Sequence, residues 1–125
     1  MSRTILIVDD EADVLRLAEI SLSRIGGHKV LTAGSGEDCL DVLTQTVPDA
    51  IILDVMMPVM DGPATLGRIR DGASTFRIPV VFLTAGGSQA EMDRLRALTV
   101  SGVLTKPFDP LTLPRELADV LGWSD

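Results

Sequence analysis

The feature that most restricts how this chain can fold is an alternation. Short, nearly continuous apolar runs take turns with longer segments in which apolar residues recur at helical spacing. Thr4-Ile5-Leu6-Ile7-Val8-Asp9, Ala50-Ile51-Ile52-Leu53-Asp54 and Pro79-Val80-Val81-Phe82-Leu83-Thr84 would be apolar on both faces of a strand, the pattern of strands buried inside a parallel sheet. Residues 28–33 and 102–105 are shorter or more mixed, as suits strands nearer a sheet edge. Between these runs, Val14, Leu15, Leu17, Ala18, Leu22 and Ile25 form one broad helical stripe that Gly26-Gly27 closes. Further helices are predicted over residues 36–46, 63–71, 88–98 and 112–121, with Pro63 and Pro114 in first turns, where proline is tolerated. Five strands alternating with five helices imply an α/β fold, a parallel sheet with helices on both faces, because each right-handed crossover lays a helix on the sheet. The 125 residues, 46% of them hydrophobic, suffice for one core. Residues 1–125 are therefore read as a single domain, without repeat or linker.

In such folds ligands bind beyond the carboxyl ends of the strands, where the strand order reverses. Asp9 and Asp10 end the first strand, Asp54 ends the third, Thr84 ends the fourth, and Lys106 follows the fifth. All five are expected to meet on one edge. Carboxylates gathered there repel by about 4 kcal/mol per pair at 4 Å in a surface-like dielectric. A hard divalent cation with oxygen ligands removes that penalty, and Mg²⁺, which completes its shell with water and phosphate oxygens, fits best. An aspartate is also a competent nucleophile toward phosphorus, forming an acyl phosphate. Phosphoryl transfer mainly requires its charge to be positioned and neutralised, which Mg²⁺, the Lys106 ammonium and the Thr84 hydroxyl are suited to do.

At these residues the chain resembles a known family. Ile7-Val8-Asp9-Asp10-Glu11, the stretch from Leu53 through Asp54, Met56 and Pro58 to Asp61-Gly62, the pair Thr84-Ala85, and Leu104-Thr105-Lys106-Pro107-Phe108 resemble the motifs of response regulator receiver domains, in the family's order and with similar spacing over essentially the whole chain. The resemblance implies a doubly wound, flavodoxin-like, five-stranded sheet of order 2-1-3-4-5. It implies that Asp54 is the phosphoacceptor, and that Asp9, Asp10, Asp54 and the backbone carbonyl of Met56 hold Mg²⁺, with Mn²⁺ as a substitute. Thr84 would hydrogen-bond the phosphoryl group and Lys106 would pair with it; a cis peptide is implied at Lys106-Pro107. The phosphoryl donor would be a phosphohistidine on a histidine kinase or histidine phosphotransfer protein, and the output a downstream protein or a further domain.

Four positions depart from the family's habit. Val103 stands where many receivers carry an aromatic that swings inward, so a muted change, or one carried by backbone shifts, is expected at the face of the fourth helix, fifth strand and fifth helix. Met56 and Gly86 replace often-polar residues flanking the route of an attacking water, and Thr99 replaces a common helix-ending glycine, predicting a less sharply capped fourth helix.

Each residue also has a plainer reading. Asp9 and Asp10 suit a helix cap, Asp61-Gly62 reads as a turn, and Thr84 or Lys106 alone would be ordinary. His28, the sole histidine, falls at the opposite end of the sheet and is expected to be solvated without a partner. Cys39 is expected as a small buried apolar group, Met56, Met57 and Met60 as packing residues, Phe108 as packing, and Trp123 as a cover over the last helix end. Two rival functions remain: a receiver-like interaction domain that works without phosphorylation, and a hydrolase with an aspartyl nucleophile. Such hydrolases generally carry a second acid two residues later, where this chain has Met56.

Charge narrows the partners. A formal net charge of −7 argues against a nucleic-acid-binding face. One cysteine forms no internal disulfide, no signal peptide is recognisable after Met1, and no apolar stretch approaches the ~20 residues of a membrane span. A cytoplasmic location is the expectation, with signalling by protein contact rather than turnover of a small substrate.

Overall fold

A run that is apolar on both sides can be buried only in a sheet covered on both sides, and that is where these runs lie. The computed structural model describes residues 2–124. Strands β1 (Thr4–Val8), β2 (Lys29–Ala33), β3 (Ala50–Asp54), β4 (Val80–Thr84) and β5 (Gly102–Thr105) alternate with helices α1 (Ala12–Ile20), α2 (Gly36–Leu43), α3 (Gly62–Asp71), α4 (Gln89–Arg96) and α5 (Leu113–Leu121). Every strand pairing is parallel, in the order β2-β1-β3-β4-β5, as the resemblance implies.

The period of two in each strand divides the core. Leu6, Val8, Ile51, Leu53, Val80 and Phe82 belong to one layer with Cys39, Leu43, Leu66 and Ile69 from α2 and α3. Ile5, Ile7, Ile52, Val81 and Leu83 belong to the other, with Ala18 and Leu22 from the first helical segment and Leu113 and Leu117 from α5. Burying each large side chain contributes roughly 1.5–3 kcal/mol, so both layers stabilise the sheet that carries the site. α4 is the exception: it buries none of its residues, and only Leu95 and neighbouring Val100 and Val103 pack partly against the first layer.

Helix ends follow local chemistry more than periodicity. Ser35, Asp61 and Ser88 cap α2, α3 and α4 by accepting from the amides of Asp38, Ala64 and Glu91. α1 runs on into a π-helical turn over Ser21–Ile25, and the chain reverses at Gly27, φ +73°. The second helix stops at Leu43, short of the predicted residue 46, because the last turn tightens and the Thr44 hydroxyl donates to the Asp41 carbonyl at 2.6 Å. Likewise α4 ends at Arg96, so Thr99 lies outside it. Thr99 instead anchors a side chain from α3. Its carbonyl and hydroxyl accept from the Arg70 guanidinium at 2.6 and 3.1 Å, while Arg70 also donates to the carbonyls of Phe76 and Ile78.

Other single-residue expectations divide. Cys39 is fully buried, and burial pushes its thiol up to about 12. Met57 is buried, but Met56 is 76% exposed, so the packing role expected for Met56 is corrected. The solvated His28 is also corrected: it is half-buried, its Nδ1 accepts from the Arg3 amide at 3.2 Å, and its ring lies 5.7 Å from that of Trp123. Trp123 in turn has the Arg3 guanidinium 4.3 Å from its ring centre, so it closes the end of the sheet remote from the site as well as the end of α5.

Candidate functional site

Strand ends deliver the polar residues to one edge. Asp9 extends the β1 ladder by donating its amide to the Ala33 carbonyl at 3.1 Å, which fixes its backbone, and its side chain is fully buried. Its Oδ1 accepts from the Glu11 amide at 2.9 Å, so neither Asp9 nor Asp10 is the capping residue of α1, whose N-cap is Glu11. The plain capping reading of that pair therefore fails. Asp10 is exposed, while Asp54, at the end of β3, is 3% exposed. Ligand atoms of Asp9, Asp10 and Asp54 all lie within 4.8 Å of one another.

Lys106 reaches this cluster from beyond β5. Its amide donates to the Thr84 carbonyl at 2.7 Å, and its peptide bond to Pro107 is cis, as the resemblance implies. The ammonium lies 2.9 Å from Asp9 Oδ2, 3.2 Å from Asp54 Oδ1 and 3.5 Å from Glu11 Oε1. Burial alone would lower the Lys106 pKa, but Asp9 and Asp54 outweigh it and hold it above its ordinary value. For Asp54 burial and the Asp9 charge win over Lys106 and the Met56 amide, and the carboxyl is pushed up to about 6.

The residues present fit a divalent metal ion. Asp9 Oδ2 is buried, and the Lys106 ammonium 2.9 Å from it is shared with Asp54 and Glu11. One ammonium thus faces the carboxylates of Asp9, Asp54 and Glu11, and Asp10 adds a further carboxylate to the cluster, leaving surplus negative charge and only oxygen donors. That donor set selects a hard cation.

Thr84 lies beside this cluster. It is buried at the end of β4, one residue beyond Leu83, the register partner of Asp54. Its hydroxyl meets Gly86 through long contacts, 3.4 Å to the carbonyl and 3.3 Å from the amide. Together with Val55 and Met56 it lines a separate small cavity toward α4. The loop after β3 is held by Gly62, whose amide donates to the Val55 carbonyl at 2.8 Å. A Cβ at Gly62 would stand 2.5 Å from the Asp54 carbonyl oxygen, so glycine is required for this approach. Glu11 is the site residue that sequence reasoning missed. The one signal for it was an acid directly after Asp9-Asp10 at a helix start.

Comparison with known proteins gives the family and the fold. Residues 5–118 match the family described as response regulator receiver domain. A probable transcriptional regulator, ycf27, of Guillardia theta is 38% identical over 117 residues, which make up 94% of this chain and 44% of that protein. The alkaline phosphatase synthesis transcriptional regulatory protein PhoP of Bacillus subtilis is 34% identical over 127 residues, covering 100% of this chain and 51% of that one. The chain thus spans about half the length of these relatives. Among solved structures, chemotaxis protein CheY4 of Vibrio cholerae superimposes with a TM-score of 0.87 at 31% identity, over 96% of this chain and 99% of that one.

Proposed function

The chain belongs to the response regulator receiver domain family, and from that premise we propose that Asp54 is the carboxylate on which it accepts a phosphoryl group. The phosphorelay receiver function comes with the family; the assignment of residues is our reading. The observation that carries it is the meeting of Asp54 with Asp9, Asp10 and Lys106 at the carboxyl edge of the sheet.

An Asp54 oxygen attacks phosphorus, the bond from phosphorus to the donor's imidazole nitrogen breaks, and the electron pair leaves with the imidazole. Lys106 holds its proton through this step, since Asp9 and Asp54 keep its pKa high, and donates to the transferred oxygens. The Thr84 hydroxyl exchanges its long contacts with Gly86 for a phosphoryl oxygen. Asp9, Asp10, Asp54 and the Met56 carbonyl would hold Mg²⁺, which when bound supplies positive charge against both carboxylate and phosphoryl oxygens. The domain promotes its own phosphorylation and dephosphorylation without being a turnover enzyme.

Two rivals fare worse. A phosphorylation-independent interaction domain has no use for a buried, mutually repelling acid pair. A hydrolase would need an acid where the exposed Met56 stands. The partner is a histidine kinase or histidine phosphotransfer protein, in keeping with the family. Because ycf27 and PhoP are described as transcriptional regulators, we propose that any DNA contact in a longer version of this protein belongs to a segment outside residues 1–125. Among the described residues no helix is long and apolar enough to cross a membrane, and a cytoplasmic receiver is the reading we adopt.

Incubation with acetyl phosphate separates the three functions. With Mg²⁺ the chain should gain one phosphoryl group by intact mass, and with chelator or as Asp54→Asn it should gain none. No incorporation in wild type would favour the interaction domain, and rapid turnover of varied phosphoesters the hydrolase.

A further inference from the structure

Resting on the reading of Asp54 as phosphoacceptor, we propose that Arg94 of α4 is a further phosphoryl-binding residue, which closes on the phosphoryl group as Glu91 is driven out of the same cavity. A cavity of about 160 Å³ adjoins the site on its α4 side, lined by Val55, Met56, Thr84, Gly86, Glu91 and Arg94. Val55 follows Asp54 in the chain, and Thr84 ends the neighbouring strand, so this space begins one residue beyond the acceptor and shares Thr84 with the site. Two positions beside it carry no polar side chain to fill it: Met56 is exposed to solvent, and Gly86 has no side chain. Its charged lining comes from α4 instead. Glu91 and Arg94, three residues apart, share one helix face. Among the described residues neither enters a salt bridge. The Glu91 carboxylate folds back over the start of α4, with Oε1 3.4 Å from the Ser88 hydroxyl and Oε2 against Gly87.

A phosphoryl group adds roughly −1.5 to −2 charge and three strong acceptors. That anion repels Glu91 and attracts the Arg94 guanidinium, whose planar fork matches phosphoryl oxygens in pairs. Moving the helix meets little resistance, because α4 buries none of its residues and follows Gly86 and Gly87, both at positive φ. Leu95, beside Arg94, packs in the same layer as Val103, so a shift of α4 reaches β5 through Leu95. The charge pair supplies a coupling that a stiff valine at position 103 does not.

The test labels wild type, Arg94→Gln, Arg94→Lys and Glu91→Gln with acetyl phosphate and Mg²⁺, following uptake by intact mass and α4 amide shifts by NMR. All substituted side chains are exposed, so folding should be retained, with circular dichroism as the control. Arg94→Gln should slow uptake about fivefold and shrink the α4 shifts, Glu91→Gln should speed uptake about threefold, and Arg94→Lys should recover part of the loss. Raising salt from about 0.05 to about 0.5 M should narrow these differences, which a purely structural role would not do. Uptake and α4 shifts in Arg94→Gln equal to wild type would overturn the proposal, as would changes of the same sign in Arg94→Gln and Glu91→Gln. If wild type takes no label, the assignment of Asp54 itself falls, and this proposal with it.

Discussion

A carboxyl group buried beside another carboxylate resists ionising, and Asp54 sits in that position, with its pKa pushed up to about 6. For an acid with a raised folded-state pKa, the stabilising contribution is present below the unfolded value near 3.8 and is lost as pH rises through about 6. In metal-free protein, Asp54→Asn should therefore be more stable than wild type at pH 8, by up to about 3 kcal/mol, with the advantage gone by about pH 4. Urea denaturation in chelator at the two pH values checks this, and equal stability at pH 8 would count against it. Lys106 makes the opposite prediction. Lys106→Met leaves Asp9 and Asp54 facing each other unpaired and should cost about 3 kcal/mol at neutral pH, measured the same way. At this scale Asp9, Asp10, Asp54 and Lys106 were legible because each lies at a strand end. Glu11 was not, since its approach to Lys106 depends on how α1 leaves β1, and no spacing in the chain encodes that. Met56 misled because composition alone cannot tell a methionine in the core from one at a loop tip.

Elements were legible where burial sets a period and less so where it does not. All five strands and five helices were found, yet α2 and α4 end earlier than their apolar residues suggest. In α2 a hydroxyl takes over a carbonyl in the last turn. α4 has no buried stripe to mark its limits. Long-range side-chain bonds to backbone were invisible in the sequence, and Arg70 is the clearest: from α3 it joins the segment before β4 to the loop between α4 and β5. Arg70→Met should destabilise the domain by about 2 kcal/mol, given charged hydrogen bonds to carbonyls that are otherwise left without a protein donor. It should also speed amide exchange at Val100 and Ser101 well before β1 and β3 respond. Uniform exchange across the sheet would mean that Arg70 does not tie this loop.

For the molecule as a whole, the strand order rested on the resemblance, while the alternation of runs already required a parallel sheet with its ligand edge at the strand carboxyl ends. What ties fold to function is that the edge concentrates charge it cannot neutralise by itself. Mg²⁺ binding to the folded state should accordingly raise stability, by about 2.7 kcal/mol at a free concentration one hundred times its dissociation constant. Asp9→Asn should lose most of that gain, as thermal unfolding with and without the ion would register. Locating the phosphoryl group chemically tests the assignment of Asp54 without intermediaries. After labelling with acetyl phosphate and Mg²⁺, borohydride reduces an acyl phosphate to an alcohol, and peptide mapping identifies the reduced residue. Modification is expected at Asp54 alone; a label on any other residue, with Asp54 intact, would contradict the assignment.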